Sequence, residues 1–400
     1  MKGRTESYAF DVDSFFGTPW PDLTLDHVEA FLSDAGDEGL TWEAKGTERP
    51  RRESVRKNVS AFANAEGGFY IVGASRVDGG WQLDPIDFGA DEAGTWLAQV
   101  IRSNVLPIPW FDVKSFECEG GSVVVVNVAP VSEPPCMTTN GEVYTRVSGE
   151  SYPVRDPGTL RRLFERGEGR AAQTEVEALR AAAVPENEGD LDAENPYLRL
   201  RLAFAPTGRL DDVGGRLFTR PYYDALAAAM YRLPRSPLFE YPAFDHFAYG
   251  TTQDSVFVRE RHPDNRQRWT VQARWDGSVA VYLDVLPNLA EDRPRLLDVS
   301  IFGAAVRPGS QLLTDLVREL GGYGRAHVAL VVHARRFEVE SINGNAGQIP
   351  APNTMRPIQA WTDADVILSD AKLDRMRREL CRAAGAVVWE PEPEGDAPEA

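Results

Sequence analysis

Apolar and polar positions in the first half of the chain change repeatedly between helical and extended spacing. Residues 23–33 and 51–65 place apolar side chains three and four positions apart, which predicts two amphipathic helices. Thr24 is a suitable N-cap for the first, and Gly67 with Gly68 is typical of a helix end. The apolar stripes are Leu25, Val28, Phe31 and Leu32, then Val55, Val59, Phe62 and Ala63. Further helices are predicted at 96–103 and 157–165.

Short apolar or alternating runs between these helices predict strands. Residues 40–45 alternate in the manner of a half-buried strand, whereas residues 69–73 are uniformly apolar, as in a buried one. Residues 81–88 are the predicted hairpin partner of 69–73, across a turn at 78–80. The remaining strands are predicted at 110–117, 122–128 and 143–147.

The second half of the chain begins a new pattern after a stretch rich in Glu, Ala and Asp. Strands are predicted at 197–204, 255–261, 268–274, 279–285 and 326–333, and helices at 312–320 and 370–384. The predicted organisation is an N-terminal arm (1–22), an α/β domain (23–167), an acidic linker (168–195) that could contain a solvated helix, an α+β domain (196–388) and a disordered acidic tail (389–400). The fold class is therefore mixed α/β and α+β.

Composition and charge narrow the class of protein. The 400 residues are 42% hydrophobic and carry a net charge of −18, which excludes a protein that coats nucleic acid over its whole surface. No run approaches the roughly 20 apolar residues of a membrane span, and the N-terminus has no apolar signal core. Three widely spaced cysteines match neither a disulfide framework nor a zinc site. These features predict a cytoplasmic protein without a membrane partner.

The positive charge is concentrated between residues 45 and 57. This segment holds six basic residues against two acidic ones, Glu48 and Glu53. The basic residues are Lys45, Arg49, Arg51, Arg52, Arg56 and Lys57. Clustered Lys and Arg side chains neutralise phosphates and release counterions, so the segment predicts a surface for RNA or DNA. The alternative is a solvated helix face paired with glutamates.

Two carboxylates precede this segment. Glu38 lies five residues before Glu43, and Lys45 lies on the same strand face as Glu43 because side chains alternate along a strand. Glu38 and Glu43 together could hold a Mg²⁺ or Mn²⁺ ion that positions a phosphodiester, with Lys45 neutralising the developing charge. No cofactor is certain, because two glutamates at this spacing also occur by chance in acidic proteins.

Three segments in this order resemble the Schlafen AlbA-like domain family. They are the Glu43-Ala44-Lys45 strand, the run from Ala61-Phe62-Ala63-Asn64 through Gly67-Gly68 to Gly73, and the late strand with Tyr144, Arg146 and Gly149. The resemblance covers roughly residues 25–165. It implies an α/β domain that binds nucleic acid, with Arg146 as part of the binding surface; an ion pair between Arg146 and a core carboxylate is the alternative.

The sequence departs from the family pattern at one position. Schlafen-type ribonucleases carry a third acidic residue after the strand that ends in Val-Gly, where this chain has Ser75 and Arg76. Asp78 comes a few residues late as a candidate for that role. An arginine beside the site would also repel a cation.

These observations support one main hypothesis and two alternatives. The main hypothesis is a nucleic-acid-binding bacterial protein with a regulatory or defence-related role. The first alternative is a metal-dependent endoribonuclease that uses Glu38, Glu43, Lys45 and Asp78. The second is a regulatory protein in which this domain binds a nucleotide or a protein partner and the C-terminal half provides the output. A homo-oligomer or a protein partner is predicted to form through the C-terminal domain. In that half, arginines and tryptophans interleave on predicted strands and could form such a surface.

Overall fold

The computed structural model divides the chain into two compact units. The first contains Met1–Thr174, Pro206–Asp212 and Leu320–Arg325, and the second contains Glu175–Ala205, Val213–Glu319 and Ala326–Ala400. The structure describes residues 15–147, 149–183, 198–210, 219–232, 247–252, 254–260, 267–285, 299–334, 337–340, 346–349, 357–364 and 368–383. The predicted disordered tail, 389–400, lies outside the described residues.

The first unit is organised around a four-stranded sheet. In chain order its elements are α1 (Leu25–Asp34), β1 (Trp42–Lys45), α2 (Arg52–Asn64), β2 (Gly68–Val72), β3 (Ala74–Val77), β4 (Gly80–Leu83), α3 (Ala93–Asn104), β5 (Val105–Leu106), β6 (Phe111–Cys118), β7 (Gly121–Val128), β8 (Met137–Thr138), β9 (Tyr144–Val147), β10 (Glu150–Pro153) and α4 (Pro157–Ala182), of which the residues from Glu175 onwards belong to the second unit. The sheet order is β1-β2-β7-β6. Strands β1 and β2 are parallel and α2 connects them, whereas β7 runs antiparallel to β2 and β6.

Both faces of this sheet are covered, which explains the uniformly apolar sequence of β2. Phe69 and Ile71 pack into one cluster beneath α1. Tyr70 and Val72 point to the opposite face and pack against α2 and α3. All five residues of β2 are buried, so the prediction of a buried strand is confirmed.

Helix α2 is buried on more than one side. Every residue from Asn58 to Asn64 is buried. The reason is that the helix packs against the sheet and also against the β9–β10 hairpin. Polar side chains in this part of α2 consequently need partners inside the protein.

Two predictions of local structure are wrong. The hairpin partner of β4 is β3, and β2 pairs instead with β1 and β7. Gly73, whose φ is +98°, separates β2 from β3 and redirects the chain before the turn. The helix predicted to end at 165 continues to Ala182, so the first part of the predicted linker is helical. Its last turns are buried rather than solvated, because Ala178, Ala181 and Ala182 pack in an apolar cluster.

The second unit contains a seven-stranded sheet with helices. In chain order its further elements are β11 (Leu198–Arg209), α5 (Arg220–Arg232), β12 (Phe247–Thr251), β13 (Ser255–Glu260), β14 (Gln267–Arg274), β15 (Val279–Val285), α6 (Val299–Glu319), β16 (Gly322–Ala334), β17 (Phe337–Glu340), β18 (Ala346–Ile349), β19 (Ile358–Asp363) and α7 (Asp370–Ala383). The sheet order is β12-β13-β14-β15-β11-β16-β19. The mixed α+β class is confirmed. Within the described part of the chain, no helix is long and apolar enough to cross a membrane.

Candidate nucleic-acid interface

Glu43 and Lys45 lie on the face of β1 that packs towards α2. Glu43 is paired with Tyr70 of β2 and Lys45 with Val72, and both partners belong to the apolar cluster under α2. The Lys45 ammonium is 2.9 Å from Glu43 Oε1. The side chain of Lys45 is 42% exposed and that of Glu43 only 8%, so the ion pair has one buried member and one member at the surface.

The second charge partner of Glu43 is Arg146 on β9, 103 positions later in the sequence. The Arg146 side chain has no exposed surface, and its guanidinium pairs with Glu43 Oε2. It also donates to the carbonyl oxygens of Gly39 at 2.6 Å and Gly149 at 2.7 Å. Because no part of the guanidinium reaches solvent, contact between Arg146 and a nucleic acid would require the hairpin to move.

Asn58 completes a buried polar network around Glu43. Its amide nitrogen donates to Glu43 Oε1 at 2.9 Å, and its amide oxygen accepts from Ser151 Oγ, also at 2.9 Å. Ser151 Oγ lies 3.2 Å from Arg146 Nη1. These contacts connect β1, α2 and the β9–β10 hairpin through side chains alone.

Glu38 lies at the edge of this network and binds a backbone N–H group. Its Oε1 accepts a hydrogen bond from the Ala44 N–H at 2.8 Å. Burial raises the pKa of the Glu38 carboxyl above its ordinary value, and the charge of Glu43 acts in the same direction. The Ala44 hydrogen bond and the charges of Lys45 and Arg146 oppose the rise without cancelling it.

The raised pKa of Glu38 predicts a pH-dependent effect on stability. The folded protein binds the Glu38 proton more tightly than the unfolded chain, so this group costs stability as the pH rises through its raised pKa. We expect Glu38→Gln, which keeps an acceptor for Ala44, to raise the melting temperature near neutral pH. The difference should shrink as the pH falls towards about 4, and melts of both proteins across this range measure it. A lower melting temperature for the variant at neutral pH, or the same gain from Glu29→Gln on the exposed face of α1, would contradict this expectation.

Asp78 is not brought to the two glutamates. It occupies the exposed turn between β3 and β4 with a φ of +52°. Arg76, at the position where the family pattern has acid, forms an ion pair with Asp37 at 2.6 Å. In the described ranges, no group of three or more His, Cys, Asp or Glu side chains is arranged to hold a metal ion. A divalent cation needs several free oxygen ligands, and Glu43 already binds two cations, so these residues do not fit Mg²⁺ or Mn²⁺.

The basic segment divides into engaged and exposed side chains. Arg49 is engaged, because its guanidinium lies 2.7 Å from the Asp91 carboxylate and 4.3 Å from the centre of the Trp96 ring. Arg56 is half-buried, and both of its terminal nitrogens face the side-chain amide of Asn140.

Arg51 and Arg52 are the exposed members, at the N-cap and first position of α2. Neither forms an ion pair with a described residue. The side chain of Arg51, the N-cap residue, makes no capping hydrogen bond to the first N–H groups of α2. Lys57, one turn further along the helix, is half-buried.

Sequence reasoning missed the polar residues that complete the network. Asn58 interrupts the apolar stripe of Val55, Val59 and Phe62, and a polar residue at such a position is a signal for a buried hydrogen bond. Ser151 carried no such signal, because its role depends on the position of the hairpin. Gly149 has a φ of +87°, and a Cβ there would lie 2.4 Å from the Glu38 carbonyl oxygen, so the turn requires glycine.

The interleaved Arg and Trp residues of the second unit that the structure describes include both buried and exposed side chains. Trp269 is buried, and Arg274 is buried and pairs with Asp254. Trp275 is half exposed. A surface for a ligand, a partner or a second copy in this unit stays a prediction.

The first unit is thus an α/β domain in which a parallel βαβ connection presents basic side chains beside a buried ion pair. Residues 38–155 match the family model described as Schlafen, AlbA_2. The match confirms the resemblance for the N-terminal part of the chain. It covers less than a third of the 400 residues and assigns no family to the rest.

Solved structures with low sequence identity also match. One is the DIP2311 protein from Corynebacterium diphtheriae, with 23% identity, a TM-score of 0.24, and coverage of 32% of this chain and 25% of that chain. Another is the N-terminal domain of a RecG-related protein from Nitrosomonas europaea, with 22% identity, a TM-score of 0.22, and coverage of 29% and 79%. The chain therefore spans a quarter of the length of the first of these structures. No curated protein matches.

Proposed function

We propose that the N-terminal domain binds the phosphate backbone of RNA or DNA at the first turn of α2 and the adjoining end of β1. The observation that carries this proposal is the exposure of Arg51 and Arg52 without an ion-pair partner among the described residues. The whole chain has a net charge of −18, so carboxylates are abundant. Two adjacent arginines that no described carboxylate neutralises are suited to an external anion.

The position of the two arginines on the helix supports the same conclusion. The N-terminal end of a helix carries a partial positive charge, so cations placed there disfavour the helix by about 0.3–1 kcal/mol each. Arg51 and Arg52 therefore do not serve the stability of α2. The N-cap side chain does not cap the first N–H groups of α2, and N–H groups at a helix N-terminus are effective donors to phosphate oxygens.

Lys45 extends this surface from the helix to the sheet. It is the last residue of β1, and it lies at the carboxyl end of a strand in a parallel βαβ unit. Ligands of open α/β sheets bind outside the carboxyl ends of the parallel strands. The side chain of Lys45 is 42% exposed and Glu43 holds its ammonium in place, so the ammonium can contact a phosphate at this edge.

The test is the binding of fluorescently labelled single-stranded and duplex RNA and DNA of about 20 nucleotides, followed by anisotropy at several salt concentrations. We expect affinity to fall as salt rises, because phosphate contacts release counterions. The double variant Arg51→Gln/Arg52→Gln should bind more weakly. It should also reduce the slope of log K against log salt by about 1.4–1.8, since each phosphate contact contributes about 0.7–0.9.

A matched control is available in the chain. Arg161 and Arg162 are also adjacent and exposed, but they lie on α4. Arg161→Gln/Arg162→Gln removes the same charge and should leave the slope unchanged. If both double variants lose the same affinity, the effect comes from net charge and not from the position of Arg51 and Arg52. If the protein binds none of the probes at low salt, the proposal is overturned in favour of a protein or nucleotide partner. Binding without cleavage would agree with a regulatory role, and cleavage that EDTA abolishes would favour the endoribonuclease.

A further inference from the structure

Both oxygens of the Glu43 carboxylate are bound by protein groups. Arg146 pairs with Oε2, while Lys45 and the amide of Asn58 both approach Oε1 at 2.9 Å. Glu43 is 6% exposed. A carboxylate accepts about four hydrogen bonds, and three of these positions on Glu43 are taken, so a further cation would have to share the buried Oε2 with the Arg146 guanidinium.

Arg146 uses its guanidinium to join three segments of the domain. Its Nη2 donates to the carbonyl oxygens of Gly39 and Trp42, which lie before and at the start of β1. The same nitrogen donates to Gly149 in the turn of its own hairpin. The guanidinium also lies over the ring of Phe62 in α2, 4.6 Å from its centre. These contacts fix the hairpin to β1 and α2.

A divalent cation at Glu43 would have to lie directly beside the Arg146 guanidinium and the Lys45 ammonium, or displace one of them. Removing Arg146 from Glu43 would leave a buried guanidinium without its counter-ion, which is strongly unfavourable. Removing Lys45 would leave the ammonium beside the incoming cation. The other expected ligands do not compensate, because Glu38 Oε1 is bonded to the Ala44 N–H and Asp78 lies in an exposed turn.

We infer that Glu43 is the fixed counter-ion of Arg146, that this pair clamps the β9–β10 hairpin onto β1 and α2, and that Glu43 binds no divalent metal ion. The Glu-x-Lys strand and the late arginine, which the resemblance associates with a catalytic or binding surface, are here a structural pair. Glu43 acts on the surface only through Lys45, whose ammonium it positions. This inference does not depend on whether the domain binds nucleic acid.

The test measures metal binding and stability in the full-length protein without nucleic acid. The wild type, Glu43→Gln and Asp78→Asn are melted in EDTA and in about 5 mM MnCl₂. When the concentration of a ligand is 100 times its Kd, binding raises the melting temperature of the protein by several degrees. We expect no such shift in the wild type, and we expect Glu43→Gln to melt at least about 5 °C lower than the wild type in both buffers. Asp78→Asn should behave as the wild type does.

Each outcome decides the inference. A Mn²⁺ shift that Glu43→Gln or Asp78→Asn abolishes would overturn it, and so would a melting temperature of Glu43→Gln equal to that of the wild type in EDTA. A Mn²⁺ shift that persists undiminished in both variants places the ion elsewhere on this acidic protein and supports the inference. If Glu43→Gln does not fold, calorimetric titration of the wild type, Glu38→Gln and Asp78→Asn with Mn²⁺ still gives the answer, because a site that Glu43 shares with Glu38 or Asp78 would weaken in one of these variants.

Discussion

Arg146→Met should lower the free energy of unfolding of the N-terminal domain by about 3–5 kcal/mol, the usual result of removing one partner of a buried ion pair. The methionine fills much of the arginine's volume, so the loss comes from the charge of Glu43, which stays buried with Lys45 and Asn58 as its remaining partners. The carbonyl groups of Gly39 and Gly149 lose a donor as well. Urea denaturation of the full chain, followed by tryptophan fluorescence, measures the change.

Two further variants separate the ion pair from the general effect of losing an arginine. Arg52→Met removes an exposed arginine and should change stability by no more than about 0.5 kcal/mol. The double variant Glu43→Met/Arg146→Met replaces the whole pair by apolar groups, which is often neutral or favourable, and should be more stable than Arg146→Met alone. Loss of hydrogen-exchange protection in β1, β9 and β10 would assign the effect to the hairpin. A double variant that is less stable than Arg146→Met would show that the pair is not the source.

The part of this site that the sequence could predict is the part that depends on local periodicity. The alternation of a strand places Glu43 and Lys45 on one face, and they are in contact at 2.9 Å. The apolar stripe of α2 and the glycines after it likewise predict the helix and its end within about a residue. These features arise from interactions between near neighbours in the chain.

Local periodicity could not predict that Arg146 is the ion-pair partner of Glu43. Arg146 is 103 positions away in the sequence. The sequence of its strand is compatible with two roles for Arg146, contact with nucleic acid and an ion pair with a core carboxylate. The choice depends on the β9–β10 hairpin covering α2, which no local pattern encodes. The hairpin partner of β4 was predicted wrongly for a similar reason. The apolar sequence of β2 indicates that this strand is buried, but it does not indicate which strands lie beside it.

The length of α4 could not be predicted for a different reason. Residues 168–182 contain many charged side chains and few large apolar ones, which is typical of a linker. The small side chains of Ala178, Ala181 and Ala182 nevertheless allow close packing and are buried. Alanine stripes therefore signal a packed helix only when a facing surface is known.

Asn64 provides the second large effect, because it connects α2 to a loop and a strand far along the chain. Its amide oxygen accepts from the Cys136 N–H at 2.7 Å, and its amide nitrogen donates to the carbonyl oxygens of Cys136 at 2.6 Å and Tyr144 at 2.8 Å. Asn64→Leu leaves buried backbone groups without these partners. We expect a loss of about 2–5 kcal/mol in the free energy of unfolding, since each unsatisfied buried group costs about 1–3 kcal/mol.

The thiol of Cys136 offers a local measurement of the same change. Burial raises the pKa of this thiol to about 12, so almost no reactive thiolate is present at neutral pH. In Asn64→Leu the segment around Cys136 should open more often, and alkylation of Cys136, assigned by mass spectrometry, should become faster. Gln82→Leu, which changes an exposed side-chain amide on β4, is the matched control and should alter neither quantity. Unchanged alkylation together with unchanged stability in Asn64→Leu would mean that the Ala-Phe-Ala-Asn segment does not hold the hairpin region in place. The recognisable sequence pattern would then need another physical explanation.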